Sequence, residues 1–166
     1  MKLLSMYRSK VAITIAVLLM VFSFSALAQP TEVPMKKLPG YFFSGDESKL
    51  KDGVNYFVID KKREFEMLFG KGRADTPHFS KEWMLVLVMP ATKKDIQLDF
   101  NRVSMRAGTF VEVYCDLNKL RGKLMTYEAN PIAVCTIPKY ESVKKVNFFE
   151  ERRKGLEPVA SIEVRR

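Results

Sequence analysis

The run Trp83-Met84-Leu85-Val86-Leu87-Val88-Met89 is apolar at every position. A strand with one wet face alternates apolar and polar residues, so an unbroken run of this kind predicts a central strand covered on both faces. Upstream, Asn55 to Ile59 reads as a compact strand and Asp60 as the cap of a helix that follows. In Lys61 to Phe69 the residues Phe65, Leu68 and Phe69 fall at i, i+3 and i+4, with Lys61, Lys62, Glu64 and Glu66 on the wet side. Gly70-Lys71-Gly72 ends the helix.

After the apolar run the period is two. Ile96, Leu98 and Phe100 alternate with Gln97, Asp99 and Asn101, and the apolar phase then slips to Val103 and Met105, which predicts a β-bulge near Asn101-Arg102. Ala107-Gly108 makes a hairpin turn into Phe110 to Leu117, where Val111, Val113, Cys115 and Leu117 share a face. Shorter strands are expected at 124–127, 132–137, 143–149 and, at an edge, 159–164. One early helix followed by many strands and short turns implies an α+β domain, with a largely antiparallel sheet of about six strands and the helix packed on it.

The N-terminus carries a different message. Lys2, Arg8 and Lys10 precede an apolar stretch from Val11 to Phe24, and Ala26-Leu27-Ala28 supplies the small residues of a signal-peptidase site. The stretch is short for a membrane span of about 20 residues. Residues 1–28 are therefore expected to be a cleaved secretory signal, and the mature chain to be periplasmic or secreted with no stable membrane span. Residues 29–54, with Pro30, Pro34 and Pro39, read as an extended leader and loop in which Tyr41-Phe42-Phe43 docks on the domain. Residues 55–166 form the single α+β domain.

The formal charge of +9 includes the signal's three basic residues; without them, 25 Lys and Arg stand against 19 Asp and Glu, a net +6. These charges are interspersed, as in Lys61-Lys62-Arg63-Glu64, and lack the concentrated basic face that displaces counterions from phosphates, so nucleic acid is not an expected partner.

Catalytic and metal-binding patterns are sparse. His78, the only histidine, sits in a polar loop after Pro77, and no G-x-S-x-G or H-E-x-x-H occurs. Asp95, Asp99, Glu112 and Asp116 could meet across the 96–105/110–117 hairpin for acid–base chemistry, but alternating acids are also what a solvated sheet face looks like. Gly70-Lys71-Gly72-Arg73 lies after a helix, where glycine caps, rather than between strand and helix as a phosphate loop requires. No catalytic residue, cofactor or metal is expected.

Cys115 and Cys135 are the only cysteines. On neighbouring strands they would close a loop of 19 intervening residues, a bridge worth on the order of 3 kcal/mol; the alternative is two buried thiols. Trp83, Phe110 and Tyr114 are the candidate aromatic binding surface. Tyr114 points opposite to Val113 and Cys115, so its face is not uniformly polar. That face is either a second buried layer, covered by the helix or by Tyr41-Phe42-Phe43, or a surface for a partner.

Phe65-x-x-Leu68-Phe69, then Pro77-His78-Phe79-Ser80-Lys81 leading into Trp83 to Met89, then Asn130-Pro131-Ile132-Ala133-Val134-Cys135-Thr136-Ile137-Pro138-Lys139 before Val146-Asn147-Phe148, together resemble the PrcB C-terminal-type domain over residues 65–148. The chain departs from that pattern in having His78 where an acid is expected, and in lacking a glycine-rich stretch around Lys93 to Asp95. The resemblance implies an extracytoplasmic, noncatalytic domain that contacts other proteins. The expected function is thus an exported protein-interaction domain assisting or restraining another secreted protein, such as a protease. The alternatives are a small-molecule or glycan binder with Trp83, Tyr114 or Phe110 as an apolar wall, and a hydrolase built on carboxylates.

Overall fold

The fold is a computed structural model that describes residues 30–151 and 157–164, with the backbone alone for 119–123. The expected signal at 1–28 lies outside the described residues. Nine strands are present among them: β1 (Thr31–Glu32), β2 (Lys36–Lys37), β3 (Asn55–Ile59), β4 (Glu82–Val88), β5 (Thr92–Arg106), β6 (Phe110–Ala129), β7 (Ile132–Pro138), β8 (Lys145–Glu150) and β9 (Ala160–Glu163), with helix α1 (Lys62–Phe69) between β3 and β4.

The strands divide into two sheets, where one was expected. A five-stranded sheet has the order β1-β5-β6-β8-β9 and a four-stranded sheet the order β2-β7-β4-β3. Pairing is antiparallel except between β6 and β8, which run parallel. The class is α+β and mostly sheet. Two layers follow from the two kinds of strand. The hairpin β5–β6 is apolar on one face and needs a single cover, whereas β4 is apolar on both.

Trp83, Leu85 and Leu87 of β4, with Cys135 and Ile137 of β7, meet Phe100 and Val103 of β5, Val111, Val113 and Cys115 of β6, and Val146 and Phe148 of β8 in the core between the sheets. The opposite face of β4, Met84, Val86 and Val88, packs with Ile59, Val134 and Tyr41 against Phe65 and Phe69 of α1. The central strand is therefore covered on both sides. Helix α1 begins one residue later than its expected cap: Lys61 is the N-cap and makes no side-chain capping bond. Asp60 instead donates its backbone N–H to Glu64 Oε2 at 3.4 Å.

The expected bulge is present, since Phe100 pairs with Cys115 and Arg102 with Tyr114, leaving Asn101 over. Strand β6 is longer than expected because 124–127 continue it; irregularities where Lys94 pairs with Leu124 and Ile96 with Lys119 break its period of two. The hairpin turn uses left-handed backbone at Ala107 (φ 51°) and Gly108 (φ 66°), a conformation that costs glycine little.

Residues 31–43 are part of the domain, not a leader outside it. β1 pairs with β5, Thr31 to Met105, and β2 pairs with β7, Lys36 to Thr136. One short segment thus straps an edge of each sheet to the other. Val33 is buried between the two strands of the strap, and its N–H donates to Val103 at 2.9 Å. Further on, Tyr41 sits edge-on to Phe65 and Phe69, while Phe42 of the same cluster faces solvent.

Cys115 and Cys135 are free thiols, both buried. They lie on β6 and β7, strands of different sheets, so the neighbouring-strand geometry required for a cross-strand bridge is not met. Burial, aided by the charges of Glu150, Asp116 and Glu151, pushes the Cys115 thiol up to about 12; burial raises Cys135 further still. A thiol reagent such as Ellman's should find no reactive cysteine in the native protein and two after denaturation. Because both thiols ionise more readily once unfolded, their contribution to stability is complete below about pH 9 and is lost as the pH climbs toward 12. The thermal midpoint should fall across that window, and fall less in a Cys115→Ala, Cys135→Ala double variant.

Candidate functional site

Helix α1 and Tyr41 cover the four-stranded sheet, which leaves the outer face of the five-stranded sheet to its own side chains. Residues two apart on a strand share a face, so the register defines three rows there. In the first, Arg102, Tyr114 and Phe149 stand abreast on β5, β6 and β8. The Arg102 guanidinium lies 3.7 Å over the Tyr114 ring centroid, and Tyr114 stacks on Phe149 at 5.2 Å and 19°. The long, many-rotamer side chain of Arg102 is thereby held against a pair of stacked rings.

The second row holds Ser104, Glu112, Asn147 and Ser161. Glu112 is only 5 % exposed. Its carboxylate accepts from Arg106 Nε at 2.8 Å and from the Tyr114 hydroxyl at 3.2 Å. A buried carboxylate needs such partners, because leaving its charge unpaired would cost several kcal/mol, on the order of 3–5. Burial and the adjacent Glu112 charge together raise the Tyr114 phenol above its ordinary value. Ser161 Oγ donates to Asn147 Oδ1 at 2.7 Å, while Ser104 Oγ is buried with no hydrogen-bond partner among the described residues. The third row is Arg106, Phe110, Lys145 and Glu163; Phe110 is 39 % exposed.

Two of the three aromatic candidates, Phe110 and Tyr114, therefore lie on this one face. The layer expected over them, α1 or Tyr41-Phe42-Phe43, is on the other sheet. Trp83 does not join them. It faces the core between the sheets and is 1 % exposed. Glu112, expected only as one of four carboxylates, completes the patch with Arg102, Arg106 and Phe149, none of which the sequence marks as part of a binding surface.

The four carboxylates do not gather at one point. Asp99 and Asp116 are opposite one another on β5 and β6, but Asp99 is held by Lys37 Nζ at 2.6 and 2.7 Å. Glu112 is taken by Arg106 and Tyr114, and Asp95 lies four residues from Asp99 along β5. No three of His, Cys, Asp and Glu gather as a metal-binding group among the described residues. His78 is exposed, on the loop between α1 and β4. Gly70 and Gly72 are both left-handed, and the Gly70 N–H closes the helix on Glu66. The loop they begin is tied down by Arg73, which forks onto Asp75 at 2.8 and 2.9 Å and lies 4.3 Å over the Tyr41 ring. The Arg73 hydrogen bonds hold the Asp75 carboxyl down to about 2.

Architecture and site together define a two-sheet α+β sandwich with an aromatic and arginine patch on the outer face of its five-stranded sheet. No helix among the described residues is long and apolar enough to cross a membrane. Comparison of the chain with protein-family models, with curated proteins and with solved structures finds no match to any of them.

Proposed function

We propose that this chain is an exported, noncatalytic domain that binds another protein through the outer face of its five-stranded sheet. The carrying observation is the Arg102–Tyr114–Phe149 stack, with Phe110 exposed nearby, on a face that no layer covers among the described residues. Tyr, Phe and Arg are enriched at the centres of protein interfaces, where rigid, amphipathic side chains bury area at little entropic cost. The Glu112 carboxylate supports the patch from beneath by fixing Arg106 and Tyr114. Compartment comes from the leader at residues 1–28, and the resemblance over residues 65–148 favours a secreted partner such as a protease.

The test uses the mature chain as bait against the envelope and secreted proteins of its own cell. A partner recovered by the wild type should be lost with an Arg102→Ala, Tyr114→Ala double variant. Residues of this kind at an interface centre contribute about 2 kcal/mol or more each, roughly thirtyfold in Kd. Recovery of no protein, or equal recovery by the double variant at an unchanged thermal midpoint, would reject the sheet face as the binding surface.

A further inference from the structure

The cover that α1 and Tyr41 give the four-stranded sheet reaches Met84 and Val134 and goes little further. Thr136 stands beside Met84 in register, with Lys36 of β2 on its other side. Glu82 comes two residues before Met84 on β4. Cross-strand partners and residues two apart share a face of a sheet, so Lys36, Thr136 and Glu82 all point to the side that α1 covers elsewhere. Leu38 has the same phase as Lys36 and packs into the cluster under the helix.

Two adjoining depressions open there, of about 330 and 340 Å³. Lys36, Glu82 and Thr136 line both of them, and Thr136, at 5 % exposure, is the floor. Lys36 and Glu82 stand on the strands either side of β7, so two inter-strand spacings, about 9–10 Å, separate their backbones. Neither side chain has a partner among the described residues. A cation and an anion thus share one groove, with a strand between them and no bond from one to the other.

A molecule that satisfies both must carry both charges itself. In an α-amino acid the ammonium and carboxylate lie about 3 Å apart, and a charge-assisted hydrogen bond of about 2.7–2.9 Å at each end gives a span of roughly 8–9 Å. A simple anion would meet Glu82, and a simple cation would meet Lys36 and the exposed Lys81 on the rim. Asp75 of the second depression does not compete for the ammonium, because Arg73 already forks onto it. Met35, Ile137 and Pro138 line the first depression and offer an aliphatic side chain an apolar wall. Each volume falls within the range of small-molecule sites, about 300–1,000 Å³.

We infer that this groove binds a zwitterionic α-amino acid with an aliphatic side chain, its carboxylate on Lys36 and its ammonium on Glu82. The site is on the opposite sheet from the protein-binding face and does not depend on it.

Calorimetric titration of the mature chain tests the inference with leucine, methionine and valine as ligands. N-acetyl-leucine, which lacks the ammonium, leucinamide, which lacks the carboxylate, and acetate and inorganic phosphate serve as comparisons. At least one of the three amino acids should bind saturably, and removing either charge should weaken leucine binding tenfold or more, about 1.4 kcal/mol. Lys36→Met should weaken leucine by the same factor and leave leucinamide unchanged; Glu82→Gln should weaken leucine and leave N-acetyl-leucine unchanged. That crossed pattern is one that a general loss of structure would not produce. Lys36 is exposed, so its variant should keep the wild-type thermal midpoint. Three results would overturn the inference. One is no saturable binding of any of the three amino acids. Another is acetate or phosphate binding as tightly as leucine. The third is leucine affinity that both variants leave intact.

Discussion

Replacing Phe148 with alanine should lower the free energy of unfolding by about 3–5 kcal/mol. Phe148 is fully buried between the sheets. It sits beside Val113 on one neighbour and Ala160 on the other, and its ring lies 5.1 Å from that of Tyr56 on the opposite sheet. Truncation would leave a cavity at the point where β8 and β3 hold the two layers together, and neither backbone could close it without breaking its ladder. Total stability of a domain is about 5–15 kcal/mol, so the loss is a large part of the whole. Urea unfolding followed by Trp83 emission measures it as a fall in midpoint at constant slope. The neighbouring change, Phe149→Ala, is the control, because Phe149 stacks on Tyr114 at the sheet surface. It should cost well under half as much, and equal costs for the two would mean that the sheet does not present these faces as described.

The second large effect concerns the strap. A chain beginning at Leu38 lacks β1, β2 and the buried Val33. Loss of the Val33 side chain from the core forfeits about 1.5–3 kcal/mol, and the short ladders to β5 and β7 go with it. The Lys37–Asp99 ion pair at 2.6 Å adds little, since both side chains are half exposed. The thermal midpoint should drop by roughly 10 °C or more. Two uncovered strand edges should also promote self-association, visible by size-exclusion chromatography. A truncated chain that stays monomeric with an unchanged melt would show that the strap is only an appendage.

The parts of this fold that the sequence makes legible are those with a period. The unbroken apolar run announces β4 and its two covered faces. The slip from Phe100 to Val103 places the bulge at Asn101, and the i, i+3, i+4 spacing of Phe65, Leu68 and Phe69 places α1. Division into two sheets is not legible, because alternation states how many faces of a strand are buried but not which strand lies opposite. β1 and β2, at two residues each, are too short to carry a period at all, and their prolines disguise them as a linker.

The candidate site divides in the same way. Phe110 and Tyr114 can be placed on one face by counting from Val113 and Cys115. Glu112 reads as an ordinary wet acid on an alternating strand, and its burial depends on Arg106 from across the turn and Tyr114 two residues on. Trp83 reads as a surface aromatic only when taken apart from its strand, which is covered on both sides. The apolar character of that run already argues for its place in the core.

Chain order and pairing order run against each other at the strap. Thr31 finds Met105 and Lys36 finds Thr136, so the partners of these residues are still unmade, or still waiting to emerge, when the strap itself is already free. Closing loops of that length is entropically slow and gives high contact order. Any machine that delivers this chain amino end first therefore releases a β-prone ribbon with nothing to bind, for as long as it takes the remaining strands to follow. A holding chaperone at the exit would find its natural client in that interval.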